Sequence, residues 1–293
     1  MTGAAVRSLD RAGRRVAVIG DVGGHLDELQ RELVRLGTDE RTGVLPDDLT
    51  IVQVGDLIHR GPDSAGVIAT VDRYLRQQPD QWLQLVGNHE AQYLTQRTFF
   101  WPEQLDDTSA TTIRRWWSER VMFVAAVLTG GTSDDTSGGT SDAATEDILV
   151  THAGLTEGYW RRMLGSPDTA ERTAHVLNAM RGRRDDLLFR SGQMLGGGRP
   201  NPSAGPLWAA AGSELLPGWL SGWLPFSQIH GHTSLHRWSE RRFVGSEEIR
   251  QRTTADLDAR HETTSLIGGR IVGIDPGHDK EPRGPWRAWE MGS

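Results

Sequence analysis

Cysteine is absent from the 293 residues. Its absence excludes disulfides, thiolate metal sites, iron–sulfur clusters and a cysteine nucleophile. It also fits a reducing compartment, so a cytoplasmic location is expected. Lysine is almost absent: Lys280 stands alone, and arginine supplies the rest of the 32 basic residues. Acidic residues number 39, which leaves a net charge of −7. That balance argues against a broad electrostatic surface for nucleic acid. Long apolar runs are missing too, and none approaches the roughly 20 residues of a membrane span. The Arg-rich N-terminus lacks the apolar stretch of a signal peptide. Neither a membrane nor a nucleic-acid partner is therefore expected, and nothing in the sequence indicates an oligomeric state. What is present suits a globular chain: 37% hydrophobic and 24% charged residues, with 35 glycines. This is enough apolar material for a core and excludes wholesale disorder.

Short apolar runs recur at 16–20, 50–55, 82–87, 123–128, 148–151, 228–231 and 270–274. Each has strand length and is rich in Val, Ile or Leu. Between the first three, the spacing predicts helices. In 25–36, Leu26, Leu29, Leu33 and Leu36 recur at helical steps, and Gly37 comes next as a stop signal. In 65–76, Val67, Ile68, Val71 and Leu75 repeat the pattern. Strand–helix–strand–helix–strand reads as an α/β fold. Residues 1–13 read as a polar, flexible tail and 14–293 as one domain. Residues 130–147 hold a nearly duplicated Gly/Ser/Thr/Asp segment with no aromatic or branched aliphatic side chain. Such a segment buries nothing and reads as an enlarged, mobile hairpin tip. Residues 155–226 read as a partly helical cap region, with Trp160, Trp208, Trp219 and Trp223 as packing residues.

The informative residues stand at the ends of the strands. The first run ends in Gly20-Asp21-Val22-Gly23-Gly24-His25, and the second in Gly55-Asp56-Leu57-Ile58-His59-Arg60-Gly61. The third ends in Gly87-Asn88-His89-Glu90, and later runs in Thr151-His152-Ala153-Gly154 and His230-Gly231-His232-Thr233. Six of the ten histidines fall in these five strand ends. In α/β proteins ligands gather beyond the carboxyl ends of strands. Oxygen and imidazole donors converging there suit divalent metal ions. Taken singly, each residue has another reading: Asp21 as a helix N-cap, Asp56 or Asn88 as a turn residue, Arg60 in a surface ion pair, His152 or His232 as a satisfied core histidine.

Taken in order, these segments resemble the calcineurin-like metallophosphoesterases. They are most similar to the phosphoprotein-phosphatase branch and its bacterial relatives, including the symmetrical diadenosine tetraphosphatases. The resemblance runs from about Val16 to Asp275. It implies a sandwich of two mixed β-sheets flanked by helices and two divalent metal ions, with Mn first and Fe, Zn, Mg or Ni as other choices. It implies that Asp21 binds the first metal, that Asp56 bridges both, and that Asn88, His152 and His232 complete the second. It implies that His89 protonates the leaving group and that Arg60 holds the phosphate of a phosphorylated protein or small molecule. Glu90 is expected to support the site without ligating a metal.

The departures are as specific as the matches. Gly23 stands where the family has a metal-ligating histidine, and Ser234 where it has another. His59 stands where the family has the Asp that orients the proton donor. The stretch Pro206-Leu207-Trp208 resembles the bacterial relatives, but Ala209-Ala210 comes next where a phosphate-binding Arg is expected; Arg190 or Arg199 is then the substitute. Gly23-Gly24 allows a bulge that carries His25 over the first metal as a ligand, with His278 as the other candidate and His230 nearby. Without them the first site is oxygen-only and suits Mn or Mg better than Zn. Three functions compete: a phosphomonoester hydrolase of the protein serine/threonine phosphatase type, a dinucleoside polyphosphate hydrolase, and a non-catalytic phosphate- or partner-binding module with a degraded first metal site.

Overall fold

The computed structural model describes residues 8–10, 15–95, 101–132, 145–278 and 284–291. In chain order the strands are β1 (Ser8–Asp10), β2 (Arg15–Ile19), β3 (Leu49–Gln53), β4 (Trp82–Leu85), β5 (Met122–Phe123), β6 (Ala125–Thr132), β7 (Thr145–Thr151), β8 (Ser227–His230), β9 (His236–Arg237), β10 (Arg242–Phe243), β11 (Thr253–Asp256), β12 (His261–Leu266), β13 (Gly269–Gly273) and β14 (Trp289–Glu290). They form two large mixed sheets, β14-β2-β3-β4-β5 and β1-β6-β7-β8-β13-β12-β11, with β9 and β10 as a small hairpin.

The period-two alternation of the strands decides the layering. Val16 and Val18, Val52 and Val54, and Leu83 and Leu85 face Ala126, Leu128, Ile148, Val150, Ile229 and Val272 of the other sheet. Burying such aliphatic side chains is worth roughly 1.5–3 kcal/mol each. The residues between them, Ala17, Ile19, Ile51 and Trp82, pack outward in the larger helical core. There they meet Leu29 and Leu33 of α1 (Leu26–Arg35) and Val67 and Val71 of α2 (Ser64–Gln77). Next in the chain is the short α3 (Asn88–Leu94), and then α4 (Asp107–Ser118), which adds Ile113 and Trp116 to the same layer. After β7 come α5 (Glu157–Leu164) and α6 (Ala170–Met180); Ala174 and Leu177 of α6 cluster with Val127 and Leu149 on the outer face of the second sheet. The result is helix, sheet, sheet, helix. The stop after α1 is as expected: Gly37 has φ +105° and donates to the Val34 carbonyl at 2.9 Å.

Three details differ from the sequence reading. Ser8–Asp10, read as tail, pairs in parallel with β6 as an edge strand. The hairpin strands reach Thr132 and start again at Thr145, so they take up both ends of the low-complexity segment; its remainder, 133–144, lies outside the described residues. Trp219 and Trp208 are buried, but Trp223 is 67% exposed.

Strand direction positions the site. β2, β3 and β4 run parallel to one another, and so do β7, β8 and β13. The carboxyl ends of three strands from each sheet therefore meet at one end of the sandwich. Asp21, Asp56 and Asn88 arrive from the first sheet, and His152, His232 and Asp275 from the second.

Candidate metal centre

Asp56 is held by the backbone around it. Gly55 turns at φ +103° and Asp56 itself at +53°, a conformation that non-glycine residues seldom adopt. A Cβ on Gly55 would lie 2.3 Å from the Gly87 nitrogen, so the second and third loops pack backbone to backbone. The fully buried Glu90 fixes the turn: its carboxylate accepts from the Asp56, Leu57 and Gly87 N–H groups at 2.8, 2.9 and 2.9 Å. Beneath lies Gln53, also fully buried. Its amide donates to the Gly20 and Gly55 carbonyls at 3.0 and 2.7 Å and accepts from Gly55 N–H at 2.9 Å. One side chain thus ties the loop before Asp21 to the loop before Asp56.

Among the described residues, one group of three His or carboxylate side chains brings its ligand atoms within 4.8 Å of one another: Asp56, His152 and His232. His152 Nδ1 donates to the Val54 carbonyl at 3.0 Å, which leaves the lone pair on Nε2. That Nε2 lies 2.8 Å from Asn88 Oδ1 and 3.4 Å from Asp56 Oδ1, and His232 Nδ1 lies 2.9 Å from Asn88 Oδ1. With the amide oxygen inward, four acceptors face one another, which a cation satisfies. With the amide turned over, its two N–H groups reach the two imidazoles at 2.8 and 2.9 Å and lie 3.1 Å from Asp56. Two nitrogens and two oxygens, a set common to Zn, Mn and Fe sites, fit a divalent metal. Burial pushes the His152 imidazole down to about 3, so the ring stays neutral and able to ligate. Burial also pushes Asp56 up to about 7, against the pull of the His89 N–H and of Arg60.

The side of Asp21 is built differently. Asp21 does not cap the first helix; its Oδ1 accepts from the His232 N–H at 3.0 Å. Its carboxyl is raised by burial first, then by the charges of Asp275 and Asp56. Gly23 and Gly24 do bulge, with φ of +54° and +72°. The bulge docks on the second loop, where Gly23 and Gly24 donate to the Asp56 and Leu57 carbonyls at 2.8 and 2.7 Å. His25 comes next as the cap position of α1, and its ring packs on His278 at 4.6 Å between centroids. His278 Nε2 meets the Asp21 backbone carbonyl at 2.8 Å. A Cβ on Gly23 would lie 3.3 Å from the His278 ring, so His278 fills the space that a side chain at position 23 would enter. Ser234 donates to Glu262 at 3.1 Å. Asp21, Asp56 and Asp275 line one cavity of about 290 Å³. Sequence reasoning missed Asp275, although it comes after a strand as Asp21 and Asp56 do.

His89 sits at the rim of this group. Its Nε2 lies 3.7 Å from Asp56 Oδ2, and its Nδ1 lies 2.8 Å from His59 Nδ1. His59 Nε2 in turn lies 2.9 Å from the Tyr93 hydroxyl. Trp101 covers the pair: it stacks on His59 at 7° between planes, lies 4.8 Å from the His89 ring, and carries the Arg60 guanidinium 4.7 Å above its own ring. Tyr93, four residues beyond His89 on one helix, carries a sequence signal that was not used; Trp101 carries none. His230 is buried and bonds the Gly231 carbonyl at 2.8 Å, outside the ligand group. Arg190 and Arg199 are exposed and do not line the cavity; Arg60, Arg237 and Arg260 do. Pro206 accepts from the Ala153 N–H at 2.7 Å and Trp208 lies edge-on to His232, so that stretch buttresses the two histidine loops.

The chain is similar to several known proteins. Over 72 residues it is 39% identical to a zinc-dependent endopolyphosphatase of Saccharomyces cerevisiae, covering 25% of this chain and 19% of that protein. Over 77 residues it is 36% identical to the asymmetrical bis(5'-nucleosyl)-tetraphosphatase PrpE of Oceanobacillus iheyensis, covering 26% of this chain and 30% of that one. The chain therefore spans less than a third of either relative. In structure it is similar to a cold-active protein-tyrosine phosphatase of a psychrophilic Shewanella, with a TM-score of 0.53 and 16% identity over 96% of this chain and 77% of the other. That likeness concerns the fold. The sequence profile of the calcineurin-like phosphoesterases matches residues 14–236, from β2 to the start of β9. A profile of that length, over strand ends that meet around one donor group, means that the chain belongs to the calcineurin-like phosphoesterase family.

Proposed function

We propose that the chain hydrolyses a phosphomonoester with two divalent ions. Asp56, Asn88, His152 and His232 would hold one ion. Asp21 and Asp56, with Asp275 beside them, would hold the other in a carboxylate-rich site suited to Mn or Mg. Ions held there neutralise phosphate charge and lower the pKa of a water near neutrality. Arg60, at the mouth, pairs with phosphate oxygens in the fork geometry of a guanidinium. Trp101 holds that guanidinium from below through a cation–π contact. His89 presents Nε2 beside Asp56 and gives a proton to the leaving oxygen. The observation that supports this best is the convergence of the Asp56, His152 and His232 ligand atoms within 4.8 Å of one another, beside Asn88 and 3.7 Å from His89 at Asp56.

A phosphoanhydride substrate is the second reading. Arg237 and Arg260 line the same cavity as Arg60, which suits a chain of phosphates more than a single ester. The endopolyphosphatase and tetraphosphatase relatives point the same way. The test is a side-by-side assay of the Mn-loaded chain on nitrophenyl phosphate, phosphopeptides and dinucleoside polyphosphates. Turnover of an ester supports the first reading, and turnover of the anhydride alone supports the second. No turnover of any, with metal bound, overturns both in favour of a binding module.

A further inference from the structure

Arg260 is held at a cost in two ways. Its backbone is left-handed, with φ +60°, in the turn between β11 and β12. A residue with a Cβ seldom adopts that conformation, and outliers of this kind cluster at functional sites. The turn is pinned on both sides. The Asp256 carboxylate accepts from the Asp258 and Ala259 N–H groups at 2.9 Å each, and the Arg287 N–H donates to the Ala259 carbonyl at 3.2 Å. The side chain is then carried inward, and Arg260 is only 6% exposed. Among the described residues, its guanidinium makes a single hydrogen bond, from Nη1 to the Pro276 carbonyl at 2.6 Å, and no ion pair. Glu28 and Asp275 act on it through charge, against the burial that lowers its pKa from the ordinary guanidinium value. A cation buried with so few partners is expensive unless something else meets it.

The placement puts a positive charge in the wall of the metal cavity. Pro276 stands between Asp275 and Gly277, and Asp275, Gly277 and Arg260 line that cavity together with Arg60. The Arg60 charge acts at Asp56, His89 and Asp275, and the Arg260 charge acts at Asp275 and His278. Arg60 therefore serves the end where Asp56 and His89 stand, and Arg260 serves the flank of Asp275. Arg237 lines the cavity too, but its side chain is 47% exposed and lies 3.4 Å from Glu240, so water and that carboxylate screen it. The stretch Ala209-Ala210, where the family resemblance places an arginine, brings no cation; its Ala210 N–H donates to Glu214 at 2.9 Å. We infer that Arg260 is a specificity-determining residue that holds a second phosphate of the substrate, the one joined to the phosphoryl group at the metal centre. The inference rests on the phosphoanhydride reading. A monoester brings one phosphate, which the two ions and Arg60 neutralise. An anhydride brings further charge along the Asp275 flank, where the Arg260 guanidinium, anchored at Nη1, has N–H groups left for its oxygens. The cavity then favours anhydrides over monoesters.

The experiment compares inorganic tripolyphosphate with nitrophenyl phosphate on the full chain, in excess Mn so that tripolyphosphate does not strip the protein. Arg260→Gln should lower the ratio of kcat/KM for tripolyphosphate to that for nitrophenyl phosphate by roughly 10- to 100-fold, the worth of a hydrogen bond to a charged group. The loss should appear in KM and not in kcat, with bound Mn retained. Arg260→Lys keeps the charge and loses the fork, so it should fall between the two, and it carries the test if Arg260→Gln does not fold. Arg190→Gln removes a charge outside the cavity and should leave the ratio as it was. Where tripolyphosphate binds without being cleaved, its inhibition constant against nitrophenyl phosphate takes the place of KM. If the wild-type chain cleaves tripolyphosphate and Arg260→Gln keeps the ratio, the second-phosphate site is wrong and the anhydride reading stands. If Arg260→Gln loses Mn, or loses both substrates equally, Arg260 serves the Asp275 loop and not the substrate. If Arg190→Gln lowers the ratio as much, the effect is net charge and the site is wrong. If tripolyphosphate neither turns over nor inhibits, the anhydride reading is wrong and the site goes with it.

Discussion

Asp56 is the carboxylate on which the proposed centre would depend. It belongs to the same donor group as both imidazoles, and it shares a cavity with Asp21 and Asp275. Replacing it by Asn keeps the shape and removes the charge that would offset the two proposed cations. Asp56→Asn should therefore lose bound metal and turnover together, as elemental analysis and an ester assay would show. A variant that retains a full metal complement would remove Asp56 from the ligand set. At this scale the sequence is legible at most positions that come directly after a strand; Asp275, preceded by Ile274 and not by the glycine that precedes Asp21 and Asp56, is the exception. Asp21, Asp56, Asn88, His89, His152 and His232 were named from that rule, and the structure brings all six to one end of the sandwich. Side chains that reach the site from elsewhere were not legible. Trp101 arrives from a connection before α4, and nothing in its neighbours marks it. The His25 ring, expected over the first metal, turns to His278, because the bulge that was foreseen in Gly23-Gly24 docks on the second loop.

At the scale of elements, the loops that carry Asp21 and Asp56 hang from one buried amide. Gln53 satisfies the Gly20 carbonyl and both backbone groups of Gly55, and it accepts from Gln84, which also accepts from Trp82 Nε1 at 3.1 Å. A methionine of similar length would fill the space and leave those groups unpaired in a dry interior. Leaving a buried polar group unsatisfied costs about 1–3 kcal/mol, so Gln53→Met should lose at least roughly 2 kcal/mol in urea unfolding, with weakened Mn binding. Unchanged stability would mean that the loops are held by packing alone. The central strands and the first two helices are legible as short apolar runs and as leucine spacing, because strands buried on both faces, such as β3, are apolar almost throughout. The edge strand Ser8–Asp10 was missed because three polar-flanked residues have no period to read.

At the scale of the whole molecule the carboxyl ends of the two large sheets share one donor group, so a metal bound there as proposed would be linked to folding. The first sheet contributes Asp56 and Asn88 and the second His152 and His232, so an ion held as proposed would tie the halves of the sandwich together. The carboxylates set the sign of the pH effect. Burial raises Asp56 from its ordinary 3.8 to about 7, and Asp21 is raised as well. Between those values the folded, metal-free chain holds a proton that the unfolded chain has lost. The stability from that proton is fully present below about pH 4 and disappears as pH rises through about 7. A metal reverses the trend, since it needs the carboxylate ionised. His152 is already neutral and has no proton to give up, so protons released on binding come from the carboxyl groups. The rise in melting temperature on adding Mn should therefore grow from about pH 5 to about pH 8, as apo stability falls and proton competition fades. Calorimetry in buffers of different ionisation enthalpy should show proton release on Mn binding at about pH 6 and little at about pH 8. A melting-temperature gain that is the same at both ends of this range, or proton uptake on binding, would mean that the carboxylates are ionised before the metal arrives.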